Sequence, residues 1–269
     1  MNTALTNTAL TNTAPTNPRA QLAARTIAPL VVGLVVLGGW QLAVTVGGVD
    51  DYLLPAPASI LDELIEFGPS MRSAGLITGT NALIGLVVGS VLGIVVALLA
   101  AAARLIDWMV APIVAALAVI PIVALAPVLN TMFGADSQFG RQAIAALAVF
   151  VPVFINTLRG LRQALPVHRD LMTVYAAKPG QVMRTVTLPT ATPFVFTGIR
   201  IGSSLAVISA LVAEYFGGPR GGLGGLISTS AASSAYPRAW AYVLISIVLG
   251  LVFYLVTLGA ERLAVRRRG

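Results

Sequence analysis

The chain has 269 residues, of which 57% are hydrophobic and 10% charged, with a mean hydropathy of +0.88, a net charge of +7 and no cysteine. Soluble domains average roughly 45–50% apolar and 25% charged residues, so this composition excludes a soluble enzyme and identifies an integral membrane protein. Without cysteine there are no disulfides, no thiolate chemistry and no cysteine-ligated zinc or iron–sulfur centre, and in so apolar a chain the positive balance reads as membrane topology rather than as a nucleic-acid surface.

Residues 2–16 repeat with a period of five, Asn2-Thr3-Ala4-Leu5-Thr6 being followed by two near copies, the last with Pro15 in place of leucine. Short polar repeats bury too little to offset their ordering entropy, so residues 1–22 read as a disordered cytoplasmic tail and residues 23–265 as one transmembrane domain. Six apolar runs follow, at residues 27–46, 76–103, 105–133, 143–158, 193–216 and 239–265. Each is near the ~20 residues a helix needs to span a bilayer. The first lies beyond the tail and has full length, which marks an uncleaved helix rather than a signal peptide. An even number of spans puts both termini on one side. Twelve cationic residues, Arg19, Arg25, Arg104, Arg159, Arg162, Arg169, Lys178, Arg184, Arg262, Arg266, Arg267 and Arg268, then share that side. Only Arg72, Arg141, Arg220 and Arg238 fall opposite, with Arg200 near a boundary, so both ends are placed in the cytoplasm.

Between the first two spans, Ser59 is placed to cap a short helix with Asp62 complementing its dipole, and Ile60, Leu61, Leu64 and Ile65 give an amphipathic period that braces the outer interface. Gly85, Gly89 and Gly93 form a flat stripe on the second span for close helix packing. The third span holds Pro112, Pro121 and Pro127 and ends in Asn130, so it is predicted to be kinked or broken. Arg200 and Glu214 lie on the fifth span about 21 Å apart at 1.5 Å per residue, too far to pair within one helix. Arg200 reads as structural; Glu214 precedes the glycine-rich residues 217–225 and is a candidate gate or pathway residue, as are Asn130, Asn156, Gly222 and Gly224. His168 has no partner cluster, so no metal or catalytic site is expected.

The long polar stretch between spans covers residues 170–189, with the spacing D-L-M-x3-A-x9-V-x-L-P. A helix from Pro166 to about residue 177, a turn at Lys178-Pro179-Gly180 and a second short helix carrying Val182, Met183 and Val186 make a cytoplasmic hairpin over about residues 166–190. The spacing resembles the E-A-A-x3-G-x9-I-x-L-P signature of ABC-importer permeases. Asp170 stands at the glutamate, Leu171-Met172 at the alanines, Ala176 at the glycine, Val186 at the isoleucine, and Leu188-Pro189 is intact. Other segments resemble the nitrate, sulfonate and taurine branch of that family: Leu54-Pro55-Ala56-Pro57, Ile120-Pro121 to Phe133-Gly134, Pro152-Val153-Phe154-Ile155-Asn156-Thr157, Gly198-Ile199-Arg200-Ile201, Val212-Ala213-Glu214 and Gly222-Leu223-Gly224.

The resemblance implies an all-α integral membrane protein, with six transmembrane helices in the type I ABC importer permease fold and both termini cytoplasmic. It implies a coupling hairpin in which Asp170, Ala176, Ala177, Lys178, Pro179, Gly180, Val186, Leu188 and Pro189 meet a separate ATPase. The implied partners are two ABC ATPase subunits, a second permease copy or paralogue, an extracytoplasmic substrate-binding protein and membrane lipid. The solute is a sulfonate, nitrate, taurine or a vitamin or pyrimidine precursor. Ala176 departs from the signature, since a turn needing positive φ penalises alanine; Pro179-Gly180 is placed to supply that turn instead. No G-x-x-x-x-G-K-[ST] occurs, so ATP and magnesium belong to the partner and the chain is expected to be neither enzyme nor cofactor protein. The alternative is an ATP-independent secondary transporter or channel, for which paired inverted repeats or several intramembrane acids would speak.

Overall fold

The computed structural model describes residues 18–134, 137–217 and 221–266. The period-five repeat lies outside the described residues. Contacts divide the chain into residues 1–58 and residues 59–269. The first unit holds α1 (Pro18–Gly47) and the first two residues of α2 (Pro57–Glu66). Helix α1 begins at Pro18, so residues 18–22, assigned to the tail from sequence, are helical; proline suits a first helical position because its missing N–H would have no partner there. The amphipathic helix α2 also starts on a proline, two residues before the expected cap. Ser59 is therefore inside the helix, and the Ala58 amide is met instead by Gln41 Oε1 at 3.0 Å.

The second unit continues with α3 (Gly68–Ala102), α4 (Arg104–Val119), α5 (Ile122–Phe133), α6 (Phe139–Arg162), α7 (Pro166–Val174), α8 (Pro179–Val182), α9 (Leu188–Phe216), α10 (Leu223–Ala232) and α11 (Tyr236–Arg266). Among the described residues of the whole chain, five helical runs are long and apolar enough to cross a membrane. The pair α4 and α5, bent by 102° at a short break, makes a sixth when the two are counted as one span. The break falls at one of the three prolines. Ile120, preceding Pro121, is driven to extended backbone at ψ 123° by clash with the proline ring. Pro112 and Pro127 sit inside α4 and α5 without ending them.

Helix α6 is the centre of this unit, packed most extensively against α3 and α9, which also meet each other. Lipid supplies no hydrophobic drive for helix association, so close backbone approach at small residues takes its place. A Cβ on Gly85 would overlap that of Ala145; one on Gly89 would strike the Ala146 carbonyl and come within 2.8 Å of Val149 Cβ; one on Gly93 would lie 3.0 Å from the Phe150 carbonyl. Towards α9, a Cβ on Gly198 would lie 3.0 Å from the Val153 backbone, and one on Gly160 of α6 would lie 3.0 Å from that of Ala191. The expected packing stripe is thus one half of a two-sided arrangement. Ala82, Val149, Val153, Ala206 and Ala210 fill the core between the three helices, while Ile247, Leu251 and Leu255 on α11 stay exposed as a lipid face.

Ion pairs fasten the periphery. Arg200 on α9 meets Glu261 on α11 at 3.0 Å, which gives Arg200 the structural role read from sequence. Arg162 at the end of α6 meets Asp107 in the first turn of α4 at 2.7 Å. Arg238 Nε donates to Glu63 Oε2 at 2.7 Å, and its guanidinium lies 3.5 Å from the centre of the Phe67 ring, bracing the end of α2 against α11.

The glycine contacts predict a contrast. Gly89→Ala should lower stability by about 1–3 kcal/mol, the usual cost of overpacking a filled interface. Gly79→Ala, whose Cβ would sit 3.5 Å from Leu249 Cδ1, an ordinary contact, should leave it unchanged or raised. Thermal unfolding of the two variants in detergent micelles measures the difference.

Candidate functional site

Two places concentrate the sequence-predicted residues, one at each end of the α6–α9 pair. The first is the connection between these helices. Residues 165 and 178 are extended, each preceding a proline, and Pro166 and Pro179 open α7 and α8 at their first positions. Helix α7 then ends in a Schellman motif: the Ala177 amide donates to the Met172 carbonyl at 3.0 Å and the Ala176 amide to the Thr173 carbonyl at 2.9 Å. That geometry requires a left-handed residue just past the helix, and Ala176 takes it, with φ 49°. The turn therefore falls on the alanine and not on Pro179-Gly180. Gly180 lies within α8 without a positive φ, and nothing would crowd a Cβ there.

The return arm also differs from the predicted separate helix. Residues 179–216 run as one helix into the membrane, through a π-helical turn at Met183–Thr187. Pro189 explains the widening. Its ring excludes the carbonyl four residues back, and the Leu188 amide bonds to the Met183 carbonyl, five residues back. Lys178 is the N-cap of α8, its amide donating to Gln181 Oε1 at 2.7 Å. Asp170, Ala176, Lys178, Pro179, Gly180, Leu188 and Pro189 are exposed, with Ala177 and Val186 half-buried. Sequence reasoning passed over the apolar side of α7. Val167, Leu171 and Val174 recur at i, i+4 and i+7 and, with Tyr175, are exposed by 63%, 53%, 82% and 74%. Together these side chains form an uncovered apolar stripe on a projecting helix.

The second place is a buried polar cluster at the other end. Glu214 of α9 is 1% exposed. Its Oε2 accepts from Thr78 Oγ1 at 2.7 Å and from the Gly224 amide at 3.2 Å, and its Oε1 from Asn81 Nδ2 at 3.2 Å. Thr78 Oγ1 accepts in turn from the Leu223 amide at 2.9 Å. Asn81 Nδ2 and Arg141 Nη1 share Gln138 Oε1, each at 2.9 Å, and Gln142 Nε2 donates to Asn81 Oδ1 at 3.2 Å. Arg141, read from sequence as an outer-loop charge, is 1% exposed in the first turn of α6, held among these side chains.

Of the pathway candidates, Glu214, Gly222 and Gly224 come together. A Cβ on Gly222 would overlap the Glu214 carboxylate, and one on Gly224 would strike the Leu211 carbonyl. Asn130, at the end of α5, lies on the same part of α9, with Nδ2 donating to the Ala213 carbonyl at 3.2 Å. Asn156 does not join them. It bonds the Pro152 carbonyl within α6, roughly 22 Å along that helix from Arg141 at 1.5 Å per residue. Thr78, Asn81, Gln138 and Gln142 were not singled out from sequence; the signal was the presence of an asparagine inside an apolar span.

Comparison with known proteins identifies the family and the fold. Residues 89–267 match the family model of the binding-protein-dependent transport system inner membrane component. A probable ABC transporter permease protein of Haemophilus influenzae is 29% identical over 86% of this chain and 93% of its own length. The riboflavin transport system permease protein RibX of Chloroflexus aurantiacus is 30% identical, covering 84% of this chain and 85% of its own. The formylaminopyrimidine transport permease protein ThiX of Halalkalibacterium halodurans is 31% identical over 73% of this chain and 78% of its own length. A crystal structure of an amino acid ABC transporter shares the fold, with a TM-score of 0.62 at 14% identity over 76% of this chain and 96% of that one.

The left-handed alanine gives a local test. Ala176→Gly should stabilise the end of α7 by about 1 kcal/mol, the lower part of the cost of αL backbone for a residue with a Cβ. Hydrogen exchange at the Ala177 amide should slow by about fivefold in that variant, and Ala176→Val should accelerate it.

Proposed function

Because the chain belongs to the family of binding-protein-dependent transport system inner membrane components, we propose that the α7–α8 connection is the seat of a separate ABC ATPase. The chain itself is a multi-pass inner-membrane permease of an ABC importer, a transport subunit rather than an enzyme. On this reading the arginine-rich end is cytoplasmic, two ATPase subunits bind there using ATP and magnesium, and a second permease copy or paralogue completes the membrane unit. A substrate-binding protein delivers solute at the opposite end.

The observation that supports the seat is the uncovered stripe Val167, Leu171, Val174 and Tyr175 beside the charged Arg169, Asp170 and Lys178. Both ends of the connection enter α6 and α9, so a push on α7 is delivered to the central packed pair. Asp170, Ala176, Ala177, Lys178, Pro179, Gly180, Val186, Leu188 and Pro189 belong to this seat, the exposed members as contacts and Ala176 and Pro189 as the shapers of its turn and return arm. The solute is a small compound of the kinds named for its relatives, such as riboflavin, formylaminopyrimidine or aliphatic sulfonates; the same set supports the sulfonate and vitamin-precursor classes inferred from sequence.

Co-purification from membranes of the native host tests the seat. Wild type should bring down an ATPase identified by mass spectrometry and by ATP hydrolysis. A Leu171→Asp, Val174→Asp double variant, altering only exposed residues, should lower its recovery by about tenfold or more, equivalent to 1.4 kcal/mol, with unchanged permease abundance. Equal recovery with both proteins would refute the seat, and no ATPase with wild type would refute the partner.

A further inference from the structure

The polar cluster has a direction that its membership in a permease does not explain. Helix α10 is ten residues long and begins without a capping side chain of its own, since its N-cap is Gly222. Its first two amides are nevertheless satisfied. Leu223 donates to Thr78 of α3, and Gly224 donates to Glu214 of α9. Glu214 is thus an N-cap supplied from another helix, with a carboxylate placed at the positive end of the α10 dipole. Gly222 and Gly224 permit this approach, since a side chain at either position would displace the carboxylate or the α9 backbone.

The charge has a counterpart. Arg141 is buried to the same degree as Glu214, and its Nη1 is bonded through Gln138 and Asn81 to the Glu214 carboxylate, while its Nε has no hydrogen-bond partner. A buried polar network keeps its shape only while each member keeps its partners, and removing one member leaves another unsatisfied. We propose that Glu214 and Arg141 act as one positioning unit that holds α10 against the ends of α3, α6 and α9 at the outer side of the permease. Glu214 caps α10; Arg141, through Gln138 and Asn81, holds the Glu214 carboxyl group in place. This rests on the orientation adopted under the proposed function, in which α10 faces the extracytoplasmic side.

Because the chain has no cysteine, a single introduced thiol reports on α10 alone. Ser230→Cys is 7% exposed in the native protein, whereas Thr229→Cys, exposed in the same helix, sets the level of full labelling. In intact cells expressing the full transporter, a membrane-impermeant maleimide should label Thr229→Cys rapidly and Ser230→Cys slowly. Adding Glu214→Gln or Thr78→Val to Ser230→Cys should raise its labelling rate by about tenfold, the signature of local opening. Thr78→Val removes the bridging hydroxyl while leaving both charges, so it answers independently if Glu214→Gln fails to assemble. Combining Arg141→Gln with Glu214→Gln should recover protection by about threefold or more, because the two sites are coupled. Unchanged protection with both Glu214→Gln and Thr78→Val would overturn the proposal. A double variant labelled as fast as Glu214→Gln alone would remove Arg141 from it, and failure of Thr229→Cys to label from outside would overturn the outer placement.

Discussion

Everything in this permease hangs on how closely α6 is approached by its two neighbours. In water, burying leucine stabilises a helix pair; in lipid the exposed alternative is as apolar as the interface, and the gain comes from contact between backbones. The Gly85, Gly89 and Gly93 face of α3 and the Gly198 and Gly202 face of α9 meet adjacent faces of α6 that share Val149 and Val153. The three helices form a unit with little room for side chains to rearrange. What is attached to them is carried with them. The proposed ATPase seat is the chain between α6 and α9, and the buried polar cluster is built on the opposite ends of α3, α6 and α9.

Proline and left-handed backbone shape what lies between the rigid parts, and each acts by position. Pro121 breaks the third span because the residue before it cannot stay helical, while Pro112 and Pro127 remain inside helices. Pro166 and Pro179 open short helices at positions where no amide hydrogen is required. Pro189 widens the return arm into a π turn and leaves it continuous with α9. Ala176 takes a conformation that favours glycine, so the tip of the seat is held by its Schellman bonds against a local preference for another backbone. Strain of this kind persists only where the surroundings over-determine it.

The sequence was readable wherever one physical signal dominated. Span number followed from runs of apolar residues, and the broken third span from prolines whose steric demands are local. The glycine stripe on α3 followed from helical spacing. Readings failed where a partner distant in sequence replaced the local one. Ser59 satisfied every local rule for a cap, yet Gln41 meets the amide at the start of α2. Pro179-Gly180 had turn composition, yet the turn fell on Ala176 because two backbone hydrogen bonds close there. Arg141 counted as a loop charge by its neighbours in sequence, while it is buried against Gln138, whose Oε1 it shares with Asn81 of α3. The bond between Thr78 and Glu214 joins residues 136 apart, and no periodicity carries such a pairing.

The two ends of the α6–α9 pair are held by different physics. Towards the cytoplasmic seat, contact is steric: Gly160 against Ala191 and Phe194, with an ion pair from Arg162 to Asp107 that is half open to solvent and therefore worth little. At the opposite end, buried charges and amides are joined by directional bonds, which cost desolvation and so are poor instruments of stability alone. Their value lies in specificity, since hydrogen-bonded ions accept few alternative arrangements whereas apolar faces accept many. On the proposed reading, displacement enters from the ATPase side while the far end keeps a small number of defined states. Close steric packing at one end and directional bonds at the other are carried by one set of helices.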